Sequence, residues 1–113
     1  MPRCVCDRLA DVLSAIERAE RFGRRDRSDD VVVAAVLHEL TVVGEAVSAL
    51  LRDDPDLPER RADLPWRGIV GMRNRLVHEY EIIQAAYVWG TVDEDLEPLR
   101  LAVESERDRR DCS

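Results

Sequence analysis

Lysine is missing from this chain; all 17 basic residues among its 113 are arginine. The simplest cause is genomic base composition, although it leaves every cation a planar fork of donors. Aromatics make up only 4% of the residues, so a core must rest on Leu, Val, Ile and Ala. No uninterrupted apolar run approaches the roughly 18 residues of a membrane span, and Met1–Cys6 has no apolar h-region of a secretory leader. A cytoplasmic location without a membrane is expected. Three cysteines, Cys4, Cys6 and Cys112, provide no second pair at zinc-binding spacing. No metal is expected, and the thiols are read as reduced and incidental. No segment alternates apolar and polar residues, and no Asn-Gly or Asp-Gly turn is present, which excludes a β-rich fold.

Four apolar stripes at helical spacing remain. The first helix is expected over about residues 5–22, with Val5, Leu9, Val12, Leu13 and Ile16 on one face. The second, over about 29–52, is capped by Ser28 or Asp29. It carries an inner stripe from Val32 to Leu51 and a second face of Ala35, Val42, Ala46 and Ala49. A helix apolar on two sides must be covered twice, by its own bundle and by another helix or a second subunit. Asp53–Pro58 reads as a loop, and Pro65 suits the start of a third helix over about 65–80. The fourth spans about 84–106 and should be kinked or split by Pro98. The expected fold is an all-α, antiparallel four-helix bundle, dimeric, with one domain over 1–106 and a charged, frayed tail over 107–113.

A net charge of −7 argues against a broad electrostatic grip on nucleic acid. The charge is uneven. Residues 60–75 hold five arginines against Asp63 alone, and residues 79–106 hold eight acids against Arg100 alone. A local basic site on an acidic body is compatible with a short segment of RNA or a nucleotide.

Arg73-Asn74-Arg75-Leu76-Val77-His78-Glu79-Tyr80 is the most informative string. A guanidinium that clamps phosphate and an imidazole that exchanges protons near neutral pH could together cleave a phosphodiester without a metal or cofactor. Asn74 and His78, four apart, share a helix face, with Gly71 beside them leaving room for another backbone or a ligand. On an ideal helix, however, Arg73 and His78 project about 140° apart. Either the helix distorts, the long Arg73 side chain curls, or a two-fold dimer brings two copies together. The plainer readings are an ion pair of Arg73 with Glu45 or an acid on the fourth helix, an exposed helical His78, a solvated Arg75–Glu79 pair and a packed Tyr80. His38 belongs to a polar strip and is not read as catalytic.

The strings Val42-Val43-Gly44-Glu45-Ala46, Leu64-Pro65-Trp66-Arg67-Gly68-Ile69-Val70-Gly71-Met72-Arg73-Asn74, His78-Glu79-Tyr80 and Val88-Trp89-Gly90-Thr91-Val92-Asp93 resemble the HepT-like toxins of the HEPN superfamily. The likeness covers most of residues 7–100. It implies a helical homodimer with its site at the dimer cleft. It also implies a cofactor-free, metal-independent endoribonuclease acting on RNA, and a minimal nucleotidyltransferase (MNT) antitoxin able to transfer AMP to tyrosine. On this resemblance Arg73 and His78 are the catalytic pair, Asn74 and Gly71 support them, and Tyr80 is the modification site. Glu79 and Glu81 depart from the family pattern and place acids beside the motif. A rival expectation is a non-catalytic helical module that docks a nucleotidyltransferase; a third is a dimeric scaffold with an inactive motif.

Overall fold

The computed structural model describes residues 3–78 and 85–112, without the side chains of residues 77 and 78, and among these described residues there are six α-helices. Helix α1 (Val5–Gly23) starts at a capping box. The Cys4 thiol accepts from the Asp7 N–H at 3.4 Å, and the Asp7 carboxylate accepts from the Cys4 N–H at 3.2 Å. Helix α2 (Asp30–Asp53) starts at Asp29, whose carboxylate accepts the Val31 N–H at 2.9 Å. Both helices agree with the sequence reading to within about a residue, because stripe and cap coincide at each N-terminus.

α2 is the central element. It packs against α1 along most of its length, and against α4 (Trp66–His78) and α5 (Ala85–Gly90). By length and mean hydropathy, 1.7 over its most apolar stretch, α2 is long and apolar enough to cross a membrane. It is not an uninterrupted apolar run, because polar residues punctuate the helix. Half of that stretch is covered inside the molecule. Its acids Glu39 and Glu45 meet Arg18 of α1 and Arg73 of α4. That is the pattern of a bundle's core helix. Leu9, Val12 and Ile16 of α1 pack with Val36, Leu40, Val43 and Val47 of α2, and with Leu96, Leu99 and Val103 of α6 (Leu96–Arg109). Among the described residues there is no strand.

Three features depart from the sequence reading. First, Asp53–Pro58 is not all loop, because Leu57–Arg60 forms the short helix α3. Proline is accepted in a first helical turn, where its missing N–H costs nothing, and the fully buried Leu57 anchors that turn. Second, the last helix does not break at Pro98. A π-helical turn, Thr91–Asp95, joins α5 to α6 a turn earlier. Pro98 cannot donate to the carbonyl of Glu94 and crowds it, and a π-turn around Glu94 absorbs the mismatch. The Thr91 hydroxyl donates to the Tyr87 carbonyl at 2.9 Å, which itself bends helices.

Third, the stretch after residue 106 is neither frayed nor free. Helix α6 continues to Arg109, and Cys112 forms a disulfide with Cys6 across 106 residues of sequence. Of the three thiols only the exposed Cys4 is unpaired. Two buried carboxylates draw the arginines in. Glu106 accepts from Arg60 at 3.2 Å and Arg109 at 3.1 Å, and Asp54 accepts from Arg60 at 2.7 Å and from Arg110. Hydrogen bonding from Arg60 holds the Asp54 carboxyl below its usual range against the opposing effect of burial. Burial alone would raise Glu106, but Arg109 and Arg60 outweigh it and hold it low.

A carboxylate depressed in the folded state stabilises above its unfolded pKa and loses that contribution as pH falls through the folded value. Thermal unfolding should therefore show a melting temperature that declines from about pH 5 downward. In Asp54→Asn/Glu106→Gln that decline should be shallower, from a lower starting value at neutral pH.

Candidate active site

The site is built where α4 crosses α2. A Cβ on Gly44 would lie 2.2 Å from the Cβ of Arg73 and 3.1 Å from its Cα. The two backbones approach this closely only because residue 44 has no side chain. The next residue of α2, Glu45, then accepts from the Arg73 guanidinium at 3.2 Å, and a second guanidinium nitrogen donates to the Asn74 side-chain carbonyl at 2.9 Å. The ion pair read as the plainer role of Arg73 is thus present. It is also a weak lock, since the side chains of Arg73 and Glu45 are 31% and 55% exposed, and exposed pairs contribute about 0–1 kcal/mol.

The contact with Asn74 bears on the 140° separation of Arg73 and His78. α4 remains α-helical from Trp66 through His78, so the helix does not distort within that span. Instead the Arg73 side chain bends toward Asn74, and Asn74 occupies the face that residue 78 shares four positions on. The His78 side chain lies outside the described residues, as do Glu79, Tyr80 and Glu81. Gly71 is exposed, and a methyl group there would meet nothing within 4 Å. The close backbone approach within the chain is at Gly44, not Gly71. His38 is exposed. Arg75 lies over the Tyr87 ring at 4.8 Å; its expected partner Glu79 is outside the described residues.

Arg73 also closes one side of a polar groove of about 730 Å³. α1 contributes Arg8, Asp11 and Arg18, and α2 contributes Glu45 and Arg52. The sequence reading did not single out Arg8, Arg18, Arg52 or Gly44. Each is an ordinary helical residue until α1, α2 and α4 are packed.

Residues 9–106 match the family model described as ribonuclease HepT-like. The chain belongs to this family. Among curated relatives, "Probable ribonuclease HepT" of Thermococcus cleftensis is 32% identical over 105 residues, covering 88% of this chain and 93% of that protein. A provisionally named RNase of Caldanaerobacter subterraneus subsp. tengcongensis is 32% identical over 89 residues, covering 78% and 77%. A third, also provisionally named an RNase, from Methanocaldococcus jannaschii, is 34% identical over 70 residues, 62% of each chain. No solved structure matches the chain. The HepT-like match takes in the Gly44–Arg73 crossing and most of the groove, whereas Cys6, Arg8 and Cys112 lie outside it.

The two glycines should answer the same substitution with opposite signs. Gly44→Ala must push α4 outward against backbone and should cost about 1–3 kcal/mol in urea unfolding. Gly71→Ala adds a methyl to open space in an exposed helix and should stabilise by about 0.5–1 kcal/mol.

Proposed function

We propose that this chain is a metal-independent endoribonuclease whose catalytic pair is Arg73 and His78, working as the toxin of a toxin–antitoxin pair. The observation that carries the reading is the placement of Arg73: at the helix crossing, bent to Asn74, and weakly held at the edge of a polar groove. Membership of the HepT-like family supports the substrate class.

The reaction is attack of a ribose 2′-oxygen on the adjacent phosphorus. The bond to the 5′-oxygen breaks, leaving a 2′,3′-cyclic phosphate and a 5′-hydroxyl. His78 accepts the 2′-hydroxyl proton as general base, and a protonated His78, of the same copy or a second one, returns a proton to the leaving 5′-oxygen. Arg73 stabilises the charge growing on the phosphorane oxygens. A phosphodiester carries the same single charge as Glu45 but gains a second in the transition state, so substrate can draw Arg73 from the half-exposed Glu45 without unfolding anything. Asn74 steers the guanidinium as it moves, and the open space over Gly71 admits the ribose. A homodimer would place two copies of α4 around one substrate.

One observation favours the rival reading, a non-catalytic module docking a nucleotidyltransferase. The Arg73 guanidinium already has acceptors on Glu45 and Asn74, and the chain carries −7. Cleavage of an RNA panel in excess EDTA decides between them. The wild type should cut, and Arg73→Ala and His78→Ala should each lose about 10²- to 10⁴-fold in kcat/KM while keeping native circular dichroism. Equal cleavage by His78→Ala would sink the mechanism, and no cleavage by folded, unmodified protein would favour the docking module.

Control by an MNT-type antitoxin transfers AMP from ATP to the Tyr80 hydroxyl: the phenolic oxygen attacks the α-phosphorus, pyrophosphate leaves, and the added phosphate is a negative charge that competes with RNA for Arg73. Intact-mass analysis after co-expression with such a partner should show added AMP units, absent in Tyr80→Phe. Mass added at another residue would retire this part of the reading.

A further inference from the structure

The groove beside Arg73 has features that the cleavage reaction alone does not require. Arg8 and Arg18 are each tied to a carboxylate through Nε only, Arg8 to Asp53 at 3.0 Å and Arg18 to Glu39 at 2.9 Å. Among the described residues, the terminal nitrogens of both meet no acceptor. A carboxylate at Nε fixes the plane of a guanidinium and leaves its two terminal nitrogens as parallel donors, the geometry that engages a phosphate bidentately. Arg52, which also lines the groove, has no carboxylate partner among the described residues; it touches only the Ser48 hydroxyl, at 3.4 Å.

The acids of the groove are already engaged, Asp11 by Arg3 and Glu45 by Arg73. Uncommitted donors therefore line a groove on a chain that is acidic overall. Its floor is made of the small apolar side chains Val42, Ala46 and Ala49, the second face of α2. Arg8 and Arg18 are ten residues apart along α1, a rise of about 15 Å. A long groove with donors spread along it suits a polymer with repeated anionic groups better than a compact ligand.

We propose that this groove is the track of the single-stranded RNA backbone leading to the reacting phosphate, with Arg8, Arg18 and Arg52 binding phosphates on one side of the bond that Arg73 addresses. The proposal rests on the ribonuclease reading and gives it a direction: RNA enters along α1 and α2, and the cut falls at the groove's Arg73 edge.

The test measures binding separately from cleavage. Fluorescence anisotropy with a short, unstructured, end-labelled RNA is followed against salt concentration in a His78→Ala background. Arg52→Ala and Arg8→Ala should each weaken binding about tenfold at moderate salt. Each should also lower the slope of log K against log salt by about 0.7, the signature of one lost phosphate contact on a single strand. Arg25→Ala, an exposed arginine outside the groove, should change neither. Arg18 is left intact because its removal would strand Glu39, whose side chain is only 8% exposed.

Unchanged affinity and slope in Arg52→Ala and Arg8→Ala would overturn the track even if Arg73→Ala abolishes cleavage, and the ribonuclease reading would then stand alone. Groove-dependent binding by a wild type that never cleaves would support the track and remove the ribonuclease. Absence of RNA binding would remove both. A changed mass by light scattering in Arg52→Ala, with RNA binding intact, would make the groove a contact between copies and overturn the proposal.

Discussion

The approach of Arg73 to the backbone of Gly44 sets the position of everything else around the site. Packing distances between helices are fixed by the side chains at the crossing, and here one of the two has none. α4 can therefore press against α2, and its arginine comes within reach of the carboxylate one residue further along. Gly44 and Glu45 act as consecutive instructions: the first admits Arg73, and the second holds the end of its side chain. Any side chain at residue 44 would move the guanidinium away from Glu45 and from the groove together.

The same helix explains why arginine without lysine is structurally consequential. α2 is apolar enough that its interior acids need partners, and a guanidinium offers five donors where an ammonium offers three. Nε can satisfy a carboxylate while the terminal fork remains available, as at Arg18 on Glu39 and Arg8 on Asp53. Elsewhere the fork does the holding. Arg27 grips Asp93 with both terminal nitrogens at 2.8 Å, stacks over Trp89 at 4.4 Å and so ties the start of α2 to the π-turn. Arg60 bridges Asp54 and Glu106, closing α6 over the end of α2. Whatever the cause of the composition, an all-arginine surface supplies planar, multidentate contacts that lysine would not reproduce.

The helices themselves were legible because their signals are local. Stripes, caps and the loop prolines are properties of neighbouring residues, and α1 and α2 fall where those signals end. Arg73 and its plainer partner Glu45 were legible as well, since a guanidinium on an apolar stripe must find an acceptor. The misreadings share a different character. The fate of Cys6 and Cys112 depends on chain ends that meet only in the folded molecule. The order of the tail has no local signal, because Asp54 and Glu106, which hold its arginines, are supplied by other elements or buried by them. Pro98 does not end the helix that contains it; the mismatch it creates relaxes where the ladder is easiest to widen, at the π-turn one turn upstream. Gly44 differs from Gly71 in nothing but what packs against it. Of the groove, only the floor (the second apolar face of α2) and the Arg73–Glu45 edge have a sequence signature; Arg8, Arg18 and Arg52 come together only when three helices pack.

The separation of Arg73 and His78 on the wheel is then a question of reach rather than of helix geometry. α4 is regular through residue 78, so no backbone distortion within it is available to align the two. Five residues along a helix place their Cα atoms about 7.5 Å apart in rise and 140° apart in direction. A fully extended arginine can turn through part of that angle, and its bond to Asn74 shows it already turned toward the face of residue 78. The weak pair with Glu45 opposes further movement only slightly, because solvent screens it. In the proposed reaction, a substrate phosphate between the two faces would draw the guanidinium the rest of the way, or a second copy's α4 would supply the missing partner. Both solutions need Arg73 held loosely, and a partly exposed ion pair provides that, where a buried one would fix the side chain in place.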